Sequence, residues 1–242
     1  MSGSRHSRGV DASPEQGKIQ RMFDDISGSY DRLNDLMTAG LHHRWRDMGV
    51  MLAGVGPGSA ALDVCCGTGD FAFALRRVVG PEGRVIGIDI SDEMLKVARE
   101  KSGRNQLWVE FVNGDVLELP FGDGEFDACT VGFGIRNVPD IERAFGEMRR
   151  VCRPNGRVIC LEITQPQMPV FKQFYGLWFN HAVPVLGRLA AGDESAYTYL
   201  PESVKRFPAP EELKAIMQSA GLRNVRYQLL AGGIIALHYA IV

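Results

Sequence analysis

The sequence predicts an α/β fold in which helices cover a mostly parallel sheet. Short apolar runs alternate with segments of helical periodicity from Ala60 to Ile163, a rhythm typical of parallel sheets covered on both faces. A loop with two glycines, Gly67-Thr68-Gly69, directly follows the first apolar run and precedes a helical segment. At the end of the chain, two strand-like runs flank Ala231-Gly232-Gly233, which predicts a hairpin. We therefore expect a seven-stranded sheet with an antiparallel C-terminal part.

The individual elements follow from the spacing of apolar residues. The predicted strands cover 60–66, 84–90, 107–112, 126–133, 157–163, 222–230 and 234–242. The predicted helices cover 70–79, a segment that begins at the N-cap Ser91, 140–152 and 211–220. Pro154-Asn155-Gly156 predicts a turn before the fifth strand, because these residue types favour turns.

Two segments lie outside the strand–helix rhythm. Residues 15–55 are predicted to form an N-terminal helical cap, and residues 164–209 are predicted to form a helical insertion rich in aromatic side chains. Residues 1–14 contain Ser, Gly and Arg without an apolar stretch, which predicts a disordered lead rather than a signal peptide. The remaining residues, 15–242, are predicted to form a single domain.

Composition excludes several classes of protein. The chain has 27 Lys and Arg against 29 Asp and Glu, so it offers no basic surface for nucleic acid. The longest uncharged apolar stretches, 173–187 and 227–242, are shorter than the roughly 20 residues of a membrane-spanning helix. The five cysteines form no CxxC pair and have no His at metal-ligand spacing, which predicts a reduced cytoplasmic protein without a metal. His42 and His43 are adjacent on a predicted helix, so we expect them to point in different directions.

The glycine loop predicts a nucleotide-like ligand. Glycines at this place allow a tight turn and a close approach of the backbone to a ligand. Asp89 ends the second predicted strand, where an acid can accept hydrogen bonds from both hydroxyls of a ribose. This pattern alone fits a nicotinamide dinucleotide and S-adenosylmethionine equally well.

Two further acids favour the second cofactor. Asp63 precedes the glycine loop, and Asp115 in Asn113-Gly114-Asp115 follows the third predicted strand, where it can accept from an adenine amino group. The carboxyl ends of parallel strands line one crevice, so Asp63, Asp89 and Asp115 should surround one ligand. Three carboxylates suit the positive charge of an adenosyl sulfonium and would repel the phosphates of a dinucleotide.

Taken together, these residues resemble the class I S-adenosylmethionine-dependent methyltransferases. Three segments narrow the resemblance to the ubiquinone/menaquinone biosynthesis C-methyltransferases of the UbiE/MenG type. They are FDDISGSYDRLNDLMTAGLHHRW from Phe23, GFGIRNVP from Gly132 and YLPESVKRFP from Tyr199. The resemblance extends from about residue 18 to the end, and the joint presence of FGIRNV and YLPESV makes it specific.

The resemblance implies a Rossmann-like fold and transfer of a methyl group from S-adenosylmethionine to a ring carbon of a prenylated quinol. By the same resemblance, Gly67 and Thr68 pack on the cofactor, Asp89 holds its ribose, and Gly114 and Asp115 lie beside its adenine. Gly132 stands where some members carry Ser, which leaves only a backbone contact at that position. The aromatic insertion is then expected on the substrate side, as a channel for the prenyl tail or a face against the bilayer.

The acceptor chemistry suggests three catalytic residues. A ring carbon is a poor nucleophile, so a group that stabilises a developing phenolate assists the transfer. We hypothesise that Arg136 lies near the quinol oxygen, the alternative being a salt bridge within its loop. Tyr30 and Asp31 are expected to close over the cofactor and to join a proton path, the alternative being helix capping and packing.

Several interpretations stay open on the sequence alone. Demethylmenaquinol is the preferred acceptor, and a 2-polyprenyl-6-methoxy-1,4-benzoquinol is the alternative. A nicotinamide-dependent oxidoreductase and a non-catalytic adenosyl-binding module are the competing functions. The sequence leaves open whether the protein is a homodimer and whether it touches the inner face of the membrane.

Overall fold

The computed structural model describes residues 14–165 and 195–242, and a seven-stranded sheet forms the centre of this part. In chain order, the strands are β1 (Ala60–Val64), β2 (Arg84–Asp89), β3 (Glu110–Asn113), β4 (Phe126–Gly132), β5 (Cys152–Ile163), β6 (Arg223–Leu230) and β7 (Ile235–Ile241). The strand order is β3-β2-β1-β4-β5-β7-β6. The first five strands are parallel, and β7 runs antiparallel to both β5 and β6. The predicted fold class is confirmed.

Helices cover both faces of the sheet. In chain order, they are α1 (Pro14–Ile26), α2 (Tyr30–Thr38), α3 (Leu41–Ala53), α4 (Asp70–Val79), α5 (Asp92–Asn105), α6 (Ile141–Val151), α7 (Ser195–Arg206) and α8 (Pro210–Ser219). Trp45 of α3 and Phe71 of α4 belong to the apolar core on one face, whereas Phe145 of α6 and Met217 of α8 belong to the core on the other. The sheet is therefore buried on both sides, which explains why its central strands are continuous apolar runs.

The helix α5 begins as its sequence predicts. Ser91 is the N-cap, and its side chain accepts a hydrogen bond from the amide of Met94 at 3.1 Å. At its other end, the Ser102 hydroxyl donates to the carbonyl of Leu107. This contact holds Leu107 at the end of the helix, so β3 begins at Glu110 rather than at the predicted residue 107.

The fifth strand differs from its prediction. The turn residues Pro154-Asn155-Gly156 lie inside β5, because the chain resumes pairing with β4 on both sides of them. Cys152 pairs with Phe126, and Arg157 pairs with Ala128, so four residues of β5 bulge out between these two pairs. The left-handed Asn155, with φ of 65°, lies in this bulge.

The helix α1 lies against the carboxyl edge of the parallel strands. The Gln20 side chain donates to the carbonyl of Ile90 at 3.0 Å, and the Ser91 hydroxyl donates to Asp24 at 2.5 Å. These contacts join α1 to the loop that follows β2, directly above the position where a ligand of this fold binds.

Two sequence predictions lie mainly outside the described residues. The predicted disordered lead falls on residues 1–14, and of these only Pro14 is described, as the first residue of α1. The predicted insertion, 164–209, is described only at 164–165 and from α7 onward. Within 14–165 and 195–242, every helix is too short or too polar to cross a membrane.

Candidate functional site

The glycine loop joins β1 to α4 with a backbone that favours glycine. Gly67 and Gly69 have φ of 51° and 86°, in the left-handed region that side chains with a Cβ rarely occupy. A Cβ on Gly69 would lie 2.9 Å from the Phe111 ring, so this glycine is also required by packing. A Cβ on Gly67 would meet no atom within 4 Å, so its backbone borders open space.

Asp89 fixes the glycine loop to the end of β2. Its carboxylate accepts a hydrogen bond from the amide of Gly67 at 2.8 Å and from the amide of Ser91 at 2.9 Å. Burial raises the pKa of Asp89, while the bonds from these two amides favour its charged form and lower it. A ribose bound beside the loop would therefore find a fixed pair of acceptor oxygens.

A cavity of about 980 Å³, open to solvent, lies above the loop, and we call it the glycine-loop cavity. All seven predicted cofactor residues line it, and they are Asp63, Gly67, Thr68, Asp89, Gly114, Asp115 and Gly132. The helix α1 closes the opposite side with Ile19, Gln20 and Phe23. Residues from four strand ends and from the N-terminal cap thus surround one space.

Asp63 is the most deeply buried acid of the cavity. One carboxylate oxygen accepts from the Thr130 hydroxyl at 2.7 Å, and the other accepts from the amide of Ala72 at 3.1 Å. Burial raises the pKa of Asp63 to about 7, against the opposing effects of the Thr130 hydrogen bond and Arg46. This carboxyl is therefore poised to respond to a cation placed in the cavity.

Asp115 is held by its own turn. Its carboxylate accepts from the amide of Leu117 at 2.9 Å, a bond typical of an aspartate that starts a turn. Gly114 donates its amide to the carbonyl of Asp89 at 3.0 Å, which ties this turn to the end of β2. The two residues thus border the cavity at the end of β3.

Asp31 lies in a charged cluster beside the cavity. One oxygen accepts from the Thr68 hydroxyl at 2.5 Å, and the other lies 2.7 Å from the Lys101 ammonium. Lys101 also lies 2.6 Å from Asp70. In the described part of the chain, the residues lining the cavity do not include Asp31. Both oxygens of Asp31 are thus engaged by Thr68 and Lys101, and its part in a proton path stays a prediction.

Arg136 forms a buried ion pair whose partner lies on β5 and not within the loop of Arg136. Its guanidinium Nη1 lies 2.8 Å from Glu162 at the end of β5, and it also donates to the carbonyl of Phe133. Burial disfavours the charged guanidinium, but Glu162 outweighs this effect, so the pKa of Arg136 is raised above its ordinary value. Glu162 was not among the predicted residues, although an acid inside the apolar run of β5 was a signal for it.

A second cavity contains Arg136, and we call it the Arg136 cavity. Its empty space is about 840 Å³, and Tyr199 and Phe207 line its far side. It shares a wall with the glycine-loop cavity, formed by Ile19, Asn137, Val138 and Pro139. The Tyr199 hydroxyl donates to Asn137 at 2.9 Å, so α7 is attached directly to this wall.

Tyr30 of the glycine-loop cavity interacts electrostatically with Arg136 of the Arg136 cavity. It lines the glycine-loop cavity, and its ring packs edge-on against Phe23 at 6.2 Å between centroids. Burial raises the pKa of the Tyr30 hydroxyl, and the nearby Arg136 acts in the opposite direction. The structure therefore brings two of the three predicted catalytic residues, Tyr30 and Arg136, to one region.

Arg46 is a lining residue that the sequence interpretation missed. It is buried, borders the glycine-loop cavity and lies with its guanidinium 5.3 Å from the centre of the Phe133 ring. It donates to His42, one turn earlier on α3, and its Nη2 lies 3.8 Å from Asp70. A cation among so many acids has the charge needed to hold a carboxylate of a ligand.

His42 and His43 contact the same acid, which contradicts the expectation that they diverge. Their Nε2 atoms lie 2.8 and 3.1 Å from one oxygen of Asp35, and their rings are 3.9 Å apart. The reason is that Asp35, near the end of α2, lies between the two side chains at the start of α3. Among the described residues, Asp35, His42 and His43 are the group whose ligand atoms lie close enough together to hold a metal ion. The hydrogen bonds between Asp35 and the two histidines explain this short spacing without a metal.

Comparisons with known sequences identify one family, and comparisons with solved structures agree on the fold. The model of the ubiE/COQ5 methyltransferase family matches residues 11–242. The demethylmenaquinone methyltransferase of Staphylococcus aureus strain JH9 is 46% identical over 229 residues, which is 95% of each chain. Among solved structures, a SAM-dependent methyltransferase from Aquifex aeolicus has a TM-score of 0.64 at 21% identity, covering 88% of this chain and 97% of its own. A SAM-dependent methyltransferase from Thermotoga maritima has a TM-score of 0.61 at 20% identity, covering 92% and 99%.

Proposed function

The chain belongs to the ubiE/COQ5 methyltransferase family and is an S-adenosylmethionine-dependent methyltransferase, and from this premise we propose that it methylates the ring carbon of demethylmenaquinol. The single observation that carries the proposal is the wall shared by the two cavities, at Asn137-Val138-Pro139. An acid-lined cavity for the cofactor adjoins a cavity that contains a buried cation for the acceptor. Family membership also decides between the two cofactor classes, in favour of S-adenosylmethionine over a nicotinamide dinucleotide.

The glycine-loop cavity fits the cofactor residue by residue. Asp89 accepts from the ribose hydroxyls, and Gly114 and Asp115 border the adenine. Gly67 leaves the open space that a close approach of the ligand needs. Asp63 attracts the ammonium group of the amino-acid end, and Arg46 holds the carboxylate of that end. Thr68 and Gly132 complete the walls.

The chemistry requires positioning more than covalent participation. When bound, S-adenosylmethionine supplies a methyl group on a positively charged sulfur and leaves as S-adenosylhomocysteine. The residues of the shared wall hold the acceptor ring carbon in line with this methyl group, and such alignment contributes roughly 7–11 kcal/mol in well-oriented systems. The ring carbon exchanges its hydrogen for the methyl group, so a proton must also leave.

The Arg136 cavity provides the acceptor side. The guanidinium stabilises the phenolate that forms when the quinol hydroxyl loses its proton. The electron pair of this phenolate makes the ring carbon a better nucleophile for the methyl group. Tyr30 assists from the opposite cavity, as a hydroxyl that can hydrogen-bond to the same oxygen or pass on the departing proton. Asp31 acts indirectly in this proposal, by holding Thr68 of the glycine loop through their hydrogen bond.

The prenyl tail of the acceptor links the protein to the membrane. A demethylmenaquinol with a long tail resides in a bilayer, so we propose a cytoplasmic enzyme that touches the inner face of the membrane while it binds this substrate. Phe207 and Pro208 supply apolar surface at the far side of the Arg136 cavity, where a tail can leave the ring site. The dependence of the Michaelis constant on tail length measures this role, and an unchanged constant with shortened tails contradicts it.

The experiment is methyl transfer from labelled S-adenosylmethionine in the presence of dithionite. Demethylmenaquinol and a 2-polyprenyl-6-methoxy-1,4-benzoquinol compete in one reaction. We expect label in the naphthoquinol product. Substitution of Asp89 by Asn should abolish cofactor binding, whereas substitution of the exposed Asp92, the first residue of α5, is the matched control.

Each alternative has its own outcome in this assay. Label in both quinols would establish one enzyme with a broad acceptor range, and label in the benzoquinol alone would overturn the substrate assignment. Cofactor binding without label in either quinol would support a non-catalytic adenosyl-binding module. The oligomeric state is measured separately by sedimentation with and without the cofactor.

A further inference from the structure

Glu162 is a buried carboxylate at the acceptor side of the site. It lies near the end of β5, is completely inaccessible to solvent and contacts the turn Ile135–Asn137 at two points. One oxygen lies 2.8 Å from Nη1 of Arg136 and also accepts from the amide of Ile163 at 2.9 Å. The other oxygen lies 3.4 Å from the backbone amide of Arg136. The carboxylate therefore holds the side chain and the main chain of one residue.

The guanidinium of Arg136 is held on one side only. Its Nη1 contacts both Glu162 and the carbonyl of Phe133. Its Nε is buried and has no hydrogen-bond partner among the described residues. A buried donor without a partner is uncommon, and it often indicates a group that a ligand completes. The pairing with Glu162 therefore leaves one donor of Arg136 available for a ligand.

We propose that Glu162 is a positioning residue, which orients the Arg136 guanidinium so that its free Nε–H faces the acceptor oxygen. This inference rests on the proposed function and deepens it, because it explains how the cation of the acceptor cavity is kept in place. Removal of the carboxylate charge leaves Arg136 unpaired in a buried region, where an isolated charge is strongly disfavoured. The guanidinium then reorients toward solvent or toward another acid, and the acceptor oxygen loses its donor.

The test compares Glu162→Gln with the conservative variant Glu162→Asp. We expect Glu162→Gln to lower kcat about 100-fold, the scale of a displacement of about 1 Å in a reacting geometry. The Kd of S-adenosylmethionine should stay within about twofold, since Glu162 does not line the glycine-loop cavity in the described part of the chain. Glu162→Asp keeps the charge and should recover most of the activity.

A double-mutant cycle shows whether Glu162 acts through Arg136. In an Arg136→Gln background, the further change Glu162→Gln should alter kcat by less than about twofold, because the residue that it positions is absent. An equal loss of kcat in both backgrounds overturns the proposal. The matched control is Glu147→Gln, which breaks the Glu147–Arg150 pair of 2.7 Å on α6 and should leave kcat unchanged.

A spectroscopic readout separates this inference from the proposed function. The Nε–H proton of Arg136, assigned by its loss in Arg136→Lys, should give a protected signal in ¹⁵N NMR of the wild-type protein and should lose protection in Glu162→Gln. If wild-type protein fails to methylate demethylmenaquinol, the proposed substrate is wrong, and the signal still decides the role of Glu162. An unchanged signal in a folded Glu162→Gln protein contradicts the positioning role.

Discussion

The Lys101 ammonium lies 2.7 Å from the Asp31 carboxylate, and this contact joins α5, which packs on the sheet, to α2 of the N-terminal cap. The same ammonium lies 2.6 Å from Asp70 at the start of α4. Asp31 in turn accepts from Thr68 in the glycine loop. Burial favours a raised pKa for Asp70, but Arg46 and Lys101 outweigh it and hold this pKa below its usual value. The cluster therefore attaches the cap to the loop that borders the cofactor cavity.

Lys101→Met should weaken cofactor binding. The change removes the cation that joins the two acids, so the cap is no longer fixed over the glycine loop. We expect the Kd of S-adenosylmethionine to rise about tenfold, which corresponds to about 1.4 kcal/mol. Isothermal titration calorimetry measures this change in Kd directly.

The same helix offers a matched control for that prediction. Lys96 is exposed on α5 and pairs only with its helix neighbour Glu93, at 3.6 Å, among the described contacts. Lys96→Met removes the same charge from the same helix, and we expect the Kd to stay unchanged because exposed pairs contribute little. If both variants weaken binding equally, the effect is one of net charge, and the attachment of the cap is not its cause.

Two alanine substitutions in the glycine loop should have different consequences. Gly69→Ala introduces a Cβ that lies 2.9 Å from Phe111, in a left-handed backbone, so we expect a loss of stability of a few kcal/mol. Gly67→Ala meets no protein atom within 4 Å, so its cost in stability is limited to backbone strain of about 1 kcal/mol. Its methyl group should instead weaken cofactor binding. Thermal unfolding and calorimetry on both variants separate the two effects, and equal losses of stability would contradict this distinction.

The sequence predicted the parts of the site that local patterns control. The run from Ala60 to Asp89 contains the first strand, the loop, a helix and the acid at the end of the second strand, and periodicity and glycine placement identify all four. Lys101 and Glu162 could not be assigned in this way. Their partners Asp31 and Arg136 are 70 and 26 residues away along the chain, and only the packing of the elements brings them together.

The bulge in β5 shows a second limit of sequence analysis. Pro154-Asn155-Gly156 carries the composition of a turn between elements, and the chain does turn there. Pairing of β4 with Cys152 on one side and Arg157 on the other keeps the strand continuous across that turn. Hydrogen bonding to a neighbouring strand therefore decides the boundary of an element that local composition alone would end.

Gly132→Ser should destabilise the protein. A Cβ at this position would lie 2.9 Å from the ring of Phe71, a residue of α4 that is buried in the core. Overpacking of this kind costs about 1–3 kcal/mol, and thermal unfolding measures it. The same contact explains why this chain carries Gly at position 132, where some family members carry Ser. A smaller residue at position 71, in Phe71→Leu/Gly132→Ser, should relieve the contact, and a loss equal to the sum of both single changes would contradict this explanation.

The affinity for S-adenosylmethionine should increase as the pH rises through about 7. Burial raises the pKa of Asp63 to about 7, so near pH 6 most of the ligand-free protein carries a neutral carboxyl there. The positive charges of the cofactor favour the carboxylate, so binding should release a proton, and the released proton makes the affinity pH-dependent.

The stability of the ligand-free protein should change in the opposite sense. A carboxyl with a raised folded pKa stabilises the fold at low pH, and this contribution is lost as the pH rises from the unfolded pKa through about 7.

Calorimetry from pH 5.5 to 8.5 on wild type, Asp63→Asn and the control Asp92→Asn measures the pH dependence of the affinity. The pH dependence should vanish only in Asp63→Asn, and its persistence there would assign the proton to another group.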